Sequence, residues 1–360
     1  MTRPLRARLT GSETATRAAW TAGELLHRRL PAFAARARGR GDDDAPRPFD
    51  PRRATGPPHA VDPPTHPEPV AGVENPVLTA GDVTDFGRPG FVADPFLLPG
   101  EDRWHLFFEV FDRHRTPTAA IAHATSPDGL TWRYDGVVLA TDDHIAFPYV
   151  FTHDGRYYML PERWNRETPA PVTLFEATDF PRGWEPCVDV VRPERFLSDC
   201  VVFPHEGRWW ALAGSDDGRH DLLAYHSETL LAEEWTPHAA NPVVEGRPRG
   251  ARPGGRPLVF EDGVTLVVQD CRARYGHAVR AYDIERLSPA EYADRQRPDS
   301  PLVRPTDDAL GWNSGAMHHL DAWPVGDRWL CAVDGNVGLG RRLVGADHWA
   351  LGVSEAPTGR

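Results

Sequence analysis

Short apolar runs alternate with tight polar turns along most of this chain. Ala93-Asp94-Pro95-Phe96-Leu97-Leu98 leads through Gly100-Glu101-Asp102-Arg103 to Trp104-His105-Leu106-Phe107-Phe108-Glu109. Apolar runs of this length, bounded by Gly, Pro and Asp, read as two strands joined by a hairpin. The pattern then recurs. Pro148–Phe151 leads to Tyr157–Glu162, Cys200–Phe203 to Trp209–Leu212, Pro257–Phe260 to Leu266–Asp270, and Leu320–Trp323 to Trp329–Asp334. Superimposed, the units place Asp94, Phe147, Asp199, Arg256 and His319 at one position, at intervals of roughly fifty to sixty residues. Acids close the second strand of four units: Glu109, Glu162, Asp270 and Asp334.

The outer halves of the units are also legible. Ala119–Ala124 precedes the turn Ser126-Pro127-Asp128-Gly129-Leu130-Thr131-Trp132 and the run Val137-Val138-Leu139. Val172–Ala177 with Trp184, and Leu222–Tyr225 with Trp235, follow the same order. Five copies of about four strands predict an all-β, five-bladed β-propeller, which protects its sheet edges by closing on itself. Ser288-Pro289-Ala290-Glu291 reads as the start of a short helical insertion between Leu287 and Gln296.

Residues 1–68 stand outside the repeat and read as an N-terminal extension with a Pro-rich linker; the propeller is assigned to 69–360. Within the extension, Thr14–Leu30 has the spacing of a basic amphipathic helix, with Trp20, Leu25, Leu26 and Leu30 near one face. Gly39–Val70 is rich in Pro, Gly and Asp and reads as extended chain. Asn75-Pro76-Val77-Leu78 resembles Asn241-Pro242-Val243-Val244 at the end of the third unit, and the fifth unit has no clear third and fourth strands. Residues 75–80 are therefore expected to lend the last blade an outer strand that clasps the ring, and Leu343–Val353 to add another.

Composition narrows the function. The net charge is −12, and all 40 basic residues are arginine. Such an acidic protein is a poor match for nucleic acid, whose phosphates require clustered cations. The four cysteines, Cys187, Cys200, Cys271 and Cys331, form no C-x-x-C pair and read as buried thiols rather than a zinc site. No apolar run is long enough for a membrane span and no secretory leader is evident, so the expected location is cytoplasmic.

The innermost strand of each blade lines the propeller axis, so Asp94 and Asp199 are expected to converge there. Two carboxylates facing one cavity suit glycoside cleavage, in which one attacks or activates water and another protonates the leaving oxygen. Glu162 closes the neighbouring strand and is the candidate proton donor, unless an arginine holds it ionised. Arg252 and Arg256, in Gly250-Ala251-Arg252-Pro253-Gly254-Gly255-Arg256-Pro257, suit a bidentate grip on a ligand. His144, Asp270, Tyr275, Trp312, His319 and Asp334 complete the expected substrate contacts. His318 and His319, where blade five meets the axis, suit a central water or cation.

The Ala-Asp-Pro-Phe start, the S-x-D-G-L-x-W turn and the blade-five histidines resemble the five-bladed propellers of arabinanases, invertases and levansucrases, glycoside hydrolase families 43, 32, 62 and 68. The ordered set around Asp94, His144–Phe151, Met159–Glu162, Ala251–Gly254, Gln269–Cys271 and Arg274–Gly276 is closer still to the propeller domain at the N-terminus of plant glucosamine inositolphosphorylceramide transferases. The resemblance covers about residues 75–335. It implies Asp94 as base or nucleophile, Asp199 as the carboxylate that tunes its partners, and His318 beside a central cation such as calcium. One departure matters: the acid Glu that precedes Gly-Pro in family 43 is replaced in the window Gly254-Gly255-Arg256-Pro257. The resemblance thus implies either a glycosidase or transglycosidase acting on a furanoside or related glycan, or a non-catalytic glycan-binding module working with a glycosyltransferase in surface-glycan or glycolipid assembly.

Overall fold

The computed structural model describes residues 45–165, 167–338 and 348–359; the helix expected at Thr14–Leu30 lies outside them. Five antiparallel sheets follow one another along the chain. The strand β1 (Glu68–Pro69) comes first and belongs to the last blade. Blade one is β2 (Phe91–Pro99), β3 (Trp104–Phe111), β4 (Ala119–Ser126) and β5 (Arg133–Leu139). Blade two is β6 (His144–His153), β7 (Arg156–Trp164), β8 (Val172–Asp179) and β9 (Arg182–Val191). Blade three is β10 (Leu197–His205), β11 (Arg208–Ser215), β12 (Leu222–Ser227) and β13 (Thr236–Pro237). In blade four the inner strand is broken into β14 (Arg252–Pro253) and β15 (Leu258–Phe260), followed by β16 (Gly263–Asp270), β17 (Ala278–Leu287) and β18 (Tyr292–Gln296). Blade five is β19 (Leu320–Val325), β20 (Arg328–Asn336), β21 (Trp349–Pro357) and then β1. The chain is a five-bladed β-propeller.

Large side chains from neighbouring sheets fill the seams: Trp104, Trp210, Phe96, Phe107, Phe147 and Phe203 are fully buried. Buried polar tips find partners across the seams, as buried Tyr and Trp require. The Tyr149 hydroxyl donates to the Val202 carbonyl (2.8 Å), and the Trp323 indole to the Leu97 carbonyl (3.1 Å).

The ring closes close to the expected place. Pairing of β1 with β21 supplies the fourth strand of blade five. Leu78 also bridges Leu351, and the Asn75 side chain both donates to and accepts from the Val353 backbone, each at 2.8 Å. The clasp thus uses residues 75–78 as expected, but its regular strand lies earlier, at 68–69.

Two expectations are corrected. Ser288 does not open a helix: β17 and β18 form a hairpin in which the Ser288 hydroxyl accepts the Glu291 N–H at 3.0 Å, a side-chain turn that competes with helix. Residues 45–70 are not a free linker either. Phe49 is fully buried, its carbonyl accepts the Trp104 indole N–H (2.7 Å), Ala54 bridges Val325, and His59 bridges Phe260 and meets Trp329 edge-on. A Pro-rich segment needs few ladder bonds of its own, so it packs by inserting single side chains. Among the cysteines, all free, Cys200 and Cys331 are buried, Cys271 is half-buried, and Cys187 is exposed rather than buried. Among the described residues, no helix is long and apolar enough to cross a membrane.

Candidate functional site

The repeat position has a backbone signature. Asp94, Phe147 and Asp199 adopt left-handed φ angles of 55, 47 and 51°. Each sits where the pairing register shifts, between Ala93 and Phe96, Ala146 and Tyr149, and Ser198 and Val201. Such bulges re-aim a side chain out of the regular in–out alternation. Asp tolerates the left-handed region better than a bulky residue does, so Phe147 carries the greater strain. In blade four the residue just before the repeat position is glycine: a Cβ on Gly255 would lie 1.8 Å from the Leu320 carbonyl oxygen.

Around the axis these side chains build one charged cluster. Arg252 is its centre. Its Nε donates to Asp199 and one terminal nitrogen lies 3.3 Å from Glu162 Oε2, so one guanidinium joins carboxylates from blades two and three. Its other terminal nitrogen is 3.6 Å from Asp216. Gln269 donates to the same Asp199 oxygen at 2.8 Å. Tyr275, 45% exposed, places its ring 5.1 Å from the Arg252 guanidinium carbon.

Asp94 differs from its neighbours. Its side chain is only 9% exposed, yet it accepts no hydrogen bond among the described residues; the imidazole nitrogens of His318 and His319 stand 3.7 Å away. Burial raises its pKa to about 6, reinforced by Asp334 and Glu162 and opposed by His318 and Arg252. Asp334 is the opposite case. One oxygen accepts the backbone N–H groups of His318 and His319 (both 3.0 Å), and the other accepts Asp94 N–H (3.2 Å) and lies 2.6 Å from His318 Nδ1. Burial would raise its pKa, but His318 holds it below the usual range. Burial would lower the pKa of His318 in turn; the charge and hydrogen bond of Asp334, with Asp94 and Asp199, carry it up to about 9. The imidazolium stacks on Trp349 at 4.0 Å between ring centroids.

The expected central cation can be tested against these donors. Asp94, His318 and Asp334 lie close enough to share an ion. Calcium, however, takes six to eight oxygens. Two carboxylates and one imidazole fall short of that count, so these side chains alone do not complete a calcium shell.

Several residues expected to touch ligand lie elsewhere. Arg256 is buried and gives its guanidinium to Asp321 (2.8 Å) and the Leu97 carbonyl (3.0 Å). His319 packs edge-on against Phe96 and Phe147, and burial lowers its pKa to about 3, so it is a neutral core residue. Trp312 is buried against Gly335 and Gly352. Asp270 accepts Arg280 (2.8 Å) and the Arg272 N–H (3.0 Å). His144 lies between Thr118 (2.9 Å) and Glu109 (3.5 Å). Asp334 is fully buried and holds the His318 side chain and the Asp94 backbone.

Sequence reasoning missed Gln269, Asp216 and Trp349. For Gln269 a signal existed: successive strand residues face opposite sides, so if Asp270 turns to Arg280 on β17, Gln269 turns to the axis. Asp216 and Trp349 carried no comparable mark. Beside the cluster, between blades three and four, lies a cavity of about 170 Å³ whose lining includes Asp216, His220, Asp221, Arg252, Cys271 and Tyr275.

Comparisons with known proteins agree with this architecture. The family described as Glucosamine inositolphosphorylceramide transferase 1, N-terminal, matches residues 63–336. The protein named Glucosamine inositolphosphorylceramide transferase 1 from Oryza sativa subsp. japonica is 34% identical over 278 residues, covering 73% of this chain and 36% of that protein. The one from Arabidopsis thaliana is 35% identical over 257 residues, covering 69% and 32%. The chain thus matches about a third of the length of these curated relatives. Among solved structures, a glycosyl hydrolase from Bacteroides ovatus superimposes with a TM-score of 0.61 at 13% identity, covering 84% of this chain and 98% of that one. A thermostable family-43 glycoside hydrolase gives 0.53 at 14% identity, covering 77% and 95%. The hydrolase likeness is one of fold. The match across the propeller, with relatives above 30% identity, places the chain in the glucosamine inositolphosphorylceramide transferase 1 N-terminal family.

Proposed function

We propose that the axial cluster is a glycan-binding site and that the chain holds a sugar-containing ligand without cleaving it, as an accessory to a glycosyltransferase. The observation that carries this reading is Arg252. One guanidinium joins Asp199 and Glu162, so both carboxylates are already held by the protein. Glu162, the expected acid, is therefore engaged. Carboxylates, an amide, a guanidinium and an exposed aromatic ring are well suited to sugar hydroxyls and a sugar face. The relatives are named as transferases and are much longer than this chain, which supports a division of labour between a holding propeller and a transferring unit.

A second reading, hydrolysis, is favoured by Asp94. A carboxyl with a pKa near 6 retains part of its proton near neutrality, as a general acid requires. Asp94 would then be the acid instead of the base, with Asp199 or Glu162 facing it. The two readings separate in one experiment. A panel of furanosides, hexosides and aryl glycosides with good leaving groups is offered to the protein, with calorimetry for binding and product release for turnover. Saturable binding without product supports the holding role. Turnover that disappears in Asp94→Asn overturns it in favour of hydrolysis. Neither binding nor turnover across the panel removes the glycan reading altogether.

A further inference from the structure

We infer that the cavity between blades three and four is a second sugar subsite, so that the glycan held is at least two rings long. The inference deepens the glycan-binding reading and rests on it. None of Asp94, Glu162 and Asp199 lines this cavity; Arg252 and Tyr275 do, and they join it to the axis. Arg252 turns its Nε and one terminal nitrogen to Asp199 and Glu162, while its other terminal nitrogen lies 3.6 Å from Asp216 on the cavity wall. A ligand that reaches the axial carboxylates and continues past this guanidinium enters the cavity next.

The walls are held in place by the protein. On the blade-three side, the Ser215 N–H donates to the Asp221 carbonyl (2.9 Å), and the Asp221 carboxylate holds Arg195 (2.9 Å) and the Gly246 N–H (3.0 Å). On the blade-four side, the Cys271 N–H donates to the Pro248 carbonyl (2.7 Å) and the His277 N–H to the Asp270 carbonyl (2.9 Å). Gly276, at a φ of 55°, seats that loop against His318: a Cβ there would lie 2.4 Å from the His318 Cβ. A cavity formed before binding requires little ordering of loops when the ligand arrives. Its size and lining suit one sugar ring. Its volume of about 170 Å³ is well below the ~300–1,000 Å³ of pockets that enclose drug-sized molecules. Tyr275, 45% exposed, offers a flat apolar face for the C–H face of a sugar, and Asp216 and His220 offer polar groups to its hydroxyls.

The test uses the methyl glycoside that binds best in the panel above, with the corresponding di- and trisaccharides. Titration calorimetry gives their affinities. Alkylation of Cys271 by iodoacetamide at about pH 8, read by peptide mass spectrometry, reports occupancy of the cavity, because this half-buried thiol lines it. Cys187, exposed and outside the cavity lining, is the internal control. The second ring is expected to tighten binding roughly tenfold, and the third to add little. At saturation the disaccharide slows Cys271 alkylation several-fold, the single ring does not, and Cys187 reacts at one rate throughout. Equal affinity for one and two rings overturns the second subsite and leaves the axial site standing. So does protection of Cys271 by a single ring, or a bound disaccharide that leaves its alkylation unchanged. A Cys271 as unreactive without ligand as the buried Cys331 also overturns it, because a cavity open to a sugar admits iodoacetamide. No binding at any length overturns both.

Discussion

Arg252 and Arg256 lie four residues apart in one Gly/Pro-rich loop, and each grips an aspartate near the propeller axis. Their surroundings differ. The Arg256 side chain is 5% exposed and Asp321 is fully buried. Asp321 accepts Arg256 through both oxygens and the Leu97 N–H at 2.7 Å, while the guanidinium lies about 5 Å from the rings of Tyr149 and Trp323. Both Asp321 oxygens and two of the three Arg256 nitrogens are committed to the protein, so the pair is a strut. Arg252 is 18% exposed and spreads its charge over three carboxylates; beside it Asp94 has no hydrogen-bonded partner among the described residues. That arrangement leaves hydrogen-bonding capacity for a ligand. The same residue pair is thus a closed strut when saturated and buried, and keeps hydrogen-bonding capacity when shared and left open.

The largest expected effect lies at the strut. Arg256→Met leaves Asp321 buried without its counter-charge, which costs about 3–5 kcal/mol. Urea unfolding measures it, and a loss below ~1 kcal/mol would break the distinction between the two arginines.

Next comes Asp94. Its raised pKa means that the native state keeps a proton the unfolded chain gives up near 3.8, so stability falls as pH rises from 3.8 through about 6 and is then level. Asp94→Asn removes that fall and stabilises the protein by about 2–3 kcal/mol above pH 6. Parallel pH–stability curves for wild type and variant would show that Asp94 is not strained. His318 works the other way: its raised pKa stabilises the fold fully below 6.5, and that contribution is lost as pH rises through about 9. His318→Gln should abolish the alkaline fall in melting temperature.

Arg252→Met should cost less than Arg256→Met, about 1–2 kcal/mol, because Asp199 keeps Gln269 and water can reach the vacated side. It should nonetheless remove glycan binding. Equal destabilisation by the two substitutions, or retained binding in Arg252→Met, would erase the contrast. The smallest effect is Asp216→Asn, expected within about 0.5 kcal/mol of wild type as a surface change and read by urea unfolding.

Much of this was legible in the residues themselves. The strand–turn–strand repeat determined five blades, because an apolar period bounded by turn residues leaves few ways to bury its faces. The repeat alignment also brought Asp94 and Asp199 to the axis, since equivalent positions in a radial repeat must converge. What the sequence could not determine was the state of each group. Arg252 and Arg256, or His318 and His319, are alike as letters; only the packing of Tyr149, Trp323, Phe96 and Phe147 around Arg256 and His319 makes those two core residues. Gln269 replaced Asp270 at the site through the one-residue alternation of β16, and the Pro-rich segment 45–70 became part of the body because Phe49 and His59 found places between blades. Periodicity is a local property that a chain carries along its length. Saturation, exposure and proton affinity depend on contacts between residues far apart in sequence, and tertiary structure alone decided those.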